Sequence, residues 1–245
     1  MATGLSKYKE MIGMMILLEL INLKKKALEV ASKYSMTGFE RMFFLIKALK
    51  QIKIDKIEGD FVECGVWRGG NLILFQKIIE ELNLKNRKIF AYDTFSGMSQ
   101  PGYYDLNVKN EKAKIILDSL KKKRVDPNKN IILAKCNLGE VKRNFEVNTK
   151  KNDNLRCIKG DVGKTLKIKK NLPKKISLLR LDTDWYQSTK TELEVLFPLL
   201  SKNGILIIDD YGYWKGSKKA VDEYFKNKKV NLFKVDFTAR YLFKR

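Results

Sequence analysis

Histidine is absent from all 245 residues, which excludes every mechanism that uses imidazole as a base or a metal ligand. Proton transfer and ligation must fall to carboxylates, lysine, tyrosine or a bound metal. Cysteine is scarce. Cys64, Cys136 and Cys157 show no CxxC spacing and are too few for a disulfide framework, so a reducing, cytoplasmic setting is expected. Only four prolines interrupt the chain, and 44% hydrophobic with 11% aromatic residues lies far from compositions that stay disordered. The apolar stretch from Met11 to Leu23 is short, contains Glu19 and has no small-residue cleavage site after it. It reads as neither a transmembrane segment nor a signal peptide.

Acidic residues are outnumbered, 28 against 50 Lys plus Arg, for a formal charge of +22. Such an excess suits a nucleic-acid or anionic-surface partner. The lysines, however, fall in scattered groups (Lys24 to Lys26, Lys121 to Lys123, Lys169-Lys170, Lys174-Lys175, Lys228-Lys229) where helix ends and loops are expected. They are not interleaved with arginine and aromatic residues as in a recognition surface. The reading taken is a solvated basic surface, with nucleic acid not expected as a partner.

The length fits one large domain with an appendage. Residues 5 to 53 read as helices, because Met14, Leu17, Leu18, Ile21 and then Met42, Leu45, Ile46, Leu49 recur at three- and four-residue steps around a break at Thr37-Gly38. This extension, residues 1–55, either covers one edge of a sheet or forms a lid over an active site. It could also pair subunits, so a homodimer is a possible assembly.

From residue 56 to 245 the pattern changes. Short apolar runs, FVEC, IFAY (89–92), LRCI (155–158), ISLLRL (176–181) and GILIID (204–209), alternate with helical stretches such as 71–83 and 188–199. The last three runs read as strands buried on both faces. Intervening helices supply the crossovers that parallel pairing needs. After Gly216, KKAVDEYF reads as a helix, and NLFKVDF and ARYLFKR alternate like a closing hairpin. The expected fold class is therefore α/β: a doubly wound, mostly parallel seven-stranded sheet with a C-terminal antiparallel hairpin and an N-terminal helical extension. That pattern is associated with Rossmann-like class I methyltransferases. The polar, lysine-rich segment 98–154 holds a helix or two.

Two constellations carry chemistry. The first, Glu63-Cys64-Gly65-Val66-Trp67-Arg68-Gly69-Gly70, ends a strand and opens a helix, the context of a glycine-rich nucleotide loop. Its E-x-G-x-x-x-G spacing differs from a pyrophosphate cradle, which favours a cofactor without phosphate. Glu63 suits the ammonium of a methionine moiety. Asp93 ends the second strand where such folds accept ribose hydroxyls. Asp161, in Gly-Asp-Val after the third strand, is placed for an adenine amino group. The expected cofactor is S-adenosylmethionine.

The second constellation is acidic. Asp182 and Asp184 follow one strand, and Asp209 and Asp210 follow the next, at the carboxyl edge where open α/β sheets bind ligands. Converging carboxylates repel, and a divalent cation holds them charged. An oxygen-only set favours Mg²⁺, or Mn²⁺, over zinc. Such an ion would lower the pKa of a hydroxyl presented to it. Without histidine, a carboxylate beside the ligands must take the proton, and Asp184 is the candidate.

The blocks GDFVECGVWRGGN, AYDTFSGM and LRLDTDWYQSTKTELEVLFPLLSKNGILIIDDYGYWKGSKKAVDEYF, with YSMTGFERMFFLIKAL upstream, resemble the macrocin O-methyltransferase family over about residues 34 to 225. The resemblance implies a Mg²⁺-dependent enzyme that methylates a sugar hydroxyl on a small molecule or glycan. Carried over by position, it implies Asp182, Asp209 and Asp210 as metal ligands and Asp184 as general base. It places Glu63, Gly65, Asp93, Ser96 and Asp161 around the cofactor, with Gly69 in the same loop and Asp182 reaching cofactor as well as metal. Tyr211 and Trp214 would line the sugar pocket or pack beneath it. The competing expectations are an RNA-binding methyltransferase that uses the basic surface and a relative that has lost catalysis.

Overall fold

Parallel pairing of short apolar strands organises the molecule, seen in a computed structural model that describes residues 25–126, 130, 132–150 and 153–245. The strands are β1 (Asp60–Cys64), β2 (Ile89–Asp93), β3 (Leu155–Lys159), β4 (Ile176–Leu181), β5 (Leu200–Ile208), β6 (Phe233–Lys234) and β7 (Arg240–Phe243). They form one sheet in the order β3-β2-β1-β4-β5-β7-β6, with β1 to β5 parallel and β7 antiparallel to both neighbours. The order reverses between β1 and β4, so the crevice outside their carboxyl ends is the expected ligand site.

Side chains alternate across each strand and divide the core in two. Phe61, Ile89, Leu178, Ile205 and Ile207 pack under α1 (25–32), α2 (Phe39–Ile54), α3 (Gly70–Glu81) and α5 (Leu138–Asn148). Val62, Phe90, Leu179, Leu206 and Ile208 pack against α6 (Val162–Thr165), α7 (Tyr186–Leu196) and α8 (Lys215–Phe225) on the other face. Each fully buried Leu, Ile or Phe stabilises the fold by roughly 1.5–3 kcal/mol. A smaller cluster joins Ala113 and Leu117 of α4 (Ala113–Lys122) to Trp185 and Trp214.

The apolar spacing of the second predicted helix is realised in α2, which buries Met42, Leu45, Ile46, Leu49 and Ile52. Glu40 in its first turn and Lys53 in its last complement the helix dipole. Met14, Leu17, Leu18 and Ile21 lie outside the described residues. No helix among the described residues is long and apolar enough to cross a membrane.

Two expectations change. LRCI was expected to be covered on both faces, but β3 is the sheet's edge strand and Arg156 and Lys159 are exposed. Leu155 and Cys157 pack on one face and Ile158 on the other, but each is only partly buried, because among the described residues no strand lies along the outer edge of β3. The closing hairpin is also shorter than its alternation suggested, with two paired residues in β6 and four in β7. The turn between them is instead fastened by Asp236, whose carboxylate accepts from the backbone N–H groups of Thr238 and Ala239.

Candidate active site

The crevice at the switch point is a cavity of about 410 Å³, walled by Glu63, Gly65, Asp93, Asp161, Asp182, Asp184, Asp209 and Asp210 among others. Thr37 and Arg41 of the N-terminal extension also line it. The described part of that segment, from residue 25 on, therefore covers a sheet face and completes the cavity wall at the same time.

Gly65 follows β1 with φ +82, and a Cβ there would overlap the Asp182 carbonyl oxygen. Only glycine lets the β1 and β4 loops approach so closely. Asp93 fixes the same loop from the side, because its carboxylate accepts from Val66 N–H (2.8 Å), Trp67 N–H (3.3 Å) and Phe95 N–H (2.7 Å). Burial raises the Asp93 pKa, while those backbone hydrogen bonds oppose the rise. Asp161 caps α6 by accepting from Gly163 N–H. Gly69 stands apart from the cavity wall. It is the left-handed N-cap of α3, φ +85, with Val141 of α5 against the place of a Cβ. Ser96 lines a neighbouring pocket with Lys121 and Lys135 rather than the main cavity.

Beneath the loops lies a buried guanidinium. Arg180 pairs with Glu63 in the β1–β4 register and is 1% exposed. Its Nη1 donates to Glu63 Oε1 (2.6 Å) and Asp182 Oδ2 (2.7 Å), and its Nη2 to Asp209 Oδ1 (2.6 Å) and Thr37 Oγ1 (3.1 Å). Alternation explains the meeting: Glu63, Arg180, Asp182 and Asp209 all project to the α2 and α3 face. Asn71 Nδ2 also donates to Glu63 Oε1, whereas Glu63 Oε2 is buried without a partner. Burial raises the Glu63 pKa against the pull of Arg180 and Asn71. Arg41 closes the network from α2, bonded to Asp209, to Asp236 (2.5 Å) and to Thr238.

Asp182, Asp184 and Asp210 form the tightest acidic group, with one oxygen from each lying within 4.8 Å of the others. Asp209 belongs instead to Arg180 and Arg41. Burial raises Asp182 and Asp210 well above the usual carboxylate range, with repulsion from neighbouring carboxylates adding to it. Burial likewise lifts Asp184 to about 7, its hydrogen bond with Asp210 working against the repulsion of Asp182 and Asp209. Asp210 Oδ2 is buried and unpartnered. Asp184 adopts a left-handed backbone, φ 67, a conformation that costs about 1–3 kcal/mol and persists where its surroundings over-determine it. Five carboxylates thus meet two guanidiniums, and the excess negative charge suits cationic ligands. The oxygen-only donors fit a hard divalent cation, and the free Glu63 oxygen fits an ammonium.

Trp214 and Tyr213 line the cavity. Tyr211 turns away, donating to Asp222 at 2.7 Å. Asp105, 2% exposed, accepts from Gly102 and Tyr186 N–H groups and straps the 101–112 loop over the start of α7.

Sequence reasoning missed Arg180, Arg41, Thr37 and Asn71. Arg180 had a signal: a charged residue inside a run of isoleucine and leucine must find a counter-charge when that run is buried. Arg41 had none, because its partners lie 168 and 195 residues away.

A family model described as macrocin-O-methyltransferase (TylF) matches residues 27–244. The demethyldecarbamoylnovobiocin O-methyltransferase of Streptomyces niveus is 30% identical over 198 residues, 79% of this chain and 68% of that protein. An 8-demethyl-8-(2,3-dimethoxy-alpha-L-rhamnosyl)-tetracenomycin-C 4'-O-methyltransferase of Streptomyces olivaceus is 30% identical over 192 residues, 78% of this chain and 67% of that protein. Among solved structures, the O-methyltransferase NovP superposes with a TM-score of 0.73 at 28% identity, covering 86% of this chain and 82% of its own. The calicheamicin methyltransferase CalS11, TM-score 0.61 at 19% identity over 92% of both chains, shares the fold.

Proposed function

The chain belongs to the macrocin-O-methyltransferase (TylF) family, and on that basis we propose that it moves a methyl group from S-adenosylmethionine to a sugar hydroxyl with the help of Mg²⁺ or Mn²⁺. The fold is that of class I O-methyltransferases. One observation carries the reading: a single cavity has a carboxylate with a free buried oxygen, Glu63, and three clustered carboxylates, Asp182, Asp184 and Asp210. A relative whose name specifies a rhamnosyl substituent supports a sugar acceptor.

The cofactor supplies the methyl group on a sulfonium centre. Glu63 Oε2 would accept its ammonium, Gly65 would allow its close approach, Asp93 would receive the ribose hydroxyls and Asp161 the adenine amino group. Gly69 acts through the loop conformation it permits, and Ser96 from the adjoining pocket. A divalent cation would polarise the acceptor hydroxyl and favour its ionised form. Asp182 and Asp210 would hold it, a reading supported by the family pattern and by their clustering with Asp184. Asp209 joins them by family pattern once Arg41 yields its carboxylate. Asp184 lies beside them and takes the proton. In-line positioning of two reactants within one walled cavity contributes much of the rate.

Calorimetry with S-adenosylmethionine tests the cofactor claim. Absence of heat and of any thermal shift at millimolar cofactor would sink the enzyme reading. Mn²⁺ titrations of Asp209→Asn and Asp184→Asn test the ligand set: the first should lose affinity and the second stay near wild type while its turnover falls. The reverse result would exchange their roles.

A further inference from the structure

We infer that Glu192 is a positioning residue that works as a neutral acid, holding Thr183 and through it the turn that presents Asp182 and Asp184 to the cavity. The inference rests on the functional reading of that acidic turn.

Glu192 lies on α7, on the sheet face opposite Arg180, and is 0% exposed. Its Oε1 accepts from Thr183 Oγ1 at 2.9 Å, and its Oε2 is buried with no hydrogen-bond partner. The titratable groups that face it are the Cys64 thiol on β1, whose hydrogen bond to the carboxyl group favours the ion, and Asp161 at the start of α6, whose charge opposes it. Neither brings a positive charge. A carboxylate ion in such a place would be desolvated with no counter-charge, which outweighs two neutral hydrogen bonds, whereas the protonated form is tolerated. Burial accordingly raises the Glu192 pKa to about 8.

Thr183 sits between two of the clustered carboxylates and next to the left-handed Asp184. That backbone needs fixed neighbours. Thr183 is fixed through its carbonyl, which accepts from Trp185 N–H (2.8 Å) and Ser188 Oγ (3.2 Å). Its side chain is fixed by Glu192. Glutamine keeps both the neutrality and the acceptor, whereas leucine keeps the volume and removes the bond.

Three variants, Glu192→Gln, Glu192→Leu and Thr183→Val, test the idea by urea unfolding of metal-free protein across pH and by Mn²⁺ calorimetry. Because the folded-state pKa is raised, the stability of the neutral form is present at low pH and lost as pH climbs from about 4.5 to about 8. Relative to Glu192→Gln, the wild-type folding constant should fall about tenfold per pH unit across that window and then level off. Glu192→Gln should bind Mn²⁺ like the wild type. Glu192→Leu and Thr183→Val should each lose on the order of tenfold or more, and the double variant should lose no more than either. Parallel pH profiles for wild type and Glu192→Gln, or wild-type Mn²⁺ affinity in Thr183→Val, would overturn the inference. If the wild type itself fails to bind Mn²⁺, the cation reading falls, and the pH comparison alone decides Glu192.

Discussion

Replacing Arg180 with methionine removes the guanidinium that binds three carboxylates, and the size of the loss follows from what is left behind. Glu63 is 1% exposed and would retain only Asn71 on Oε1, while Asp209 would still have Arg41 and the Asp182 side chain, 28% exposed, reaches solvent. The uncompensated charge is therefore chiefly Glu63. Breaking a buried pair by deleting one partner costs about 3–5 kcal/mol. For a chain of this size that corresponds to a melting temperature lower by roughly 6–20 °C. Urea unfolding followed by circular dichroism should show the lower midpoint with an unchanged slope, so that stability has changed and compactness has not. A second substitution separates lost charge pairing from lost packing. If the cost lies in the orphaned carboxylate, Glu63→Met in the Arg180→Met background should recover much of the stability, since replacing a whole buried pair by apolar residues is often neutral. A single-variant loss below about 1 kcal/mol, or a double variant that sums two separate losses, would refute the reasoning. Arg180→Lys should fall between, because a compact ammonium cannot reproduce a planar fork spread over three acceptors.

Gly65→Ala should lower the melting temperature and abolish the heat of S-adenosylmethionine binding, given the positive φ and the overlap with the Asp182 carbonyl; wild-type binding by this variant would contradict the close-approach role. Arg41→Gln should loosen α2 from the β6–β7 turn, seen as faster amide exchange around Asp236 and Thr238. Unchanged exchange there would show that the latch carries no stability. Filter binding to RNA should be absent, or equal at 50 and 500 mM salt; tight binding that falls steeply across that range would revive a nucleic-acid role for the +22 charge.

The strands were legible wherever the sequence pattern reported burial directly. ISLLRL became β4 with the same two ends, because a strand covered on both faces needs apolar residues except where a buried polar group finds a partner, as Ser177 does in the Gly59 carbonyl and Arg180 in its carboxylates. LRCI carried a similar composition and became an edge strand, because four residues cannot record whether a further strand lies alongside. The glycine loop was equally legible, since φ +82 at Gly65 leaves few residue types that fit.

Chain order alone placed Glu63, Asp93, Asp161 and both aspartate pairs at the carboxyl edge of the sheet, because the ends of parallel strands share one edge. It could not say which carboxylates share a cation and which share an arginine. That was decided by three-dimensional packing. Strand alternation sends Glu63, Arg180, Asp182 and Asp209 to one face, α2 and the segment just before it bring Arg41 and Thr37 across it, and the left-handed Asp184 swings toward Asp182 and Asp210. The sequence determined the residue types and their edge of the sheet. Their pairing depended on contacts between segments far apart in the chain, which no local pattern encodes.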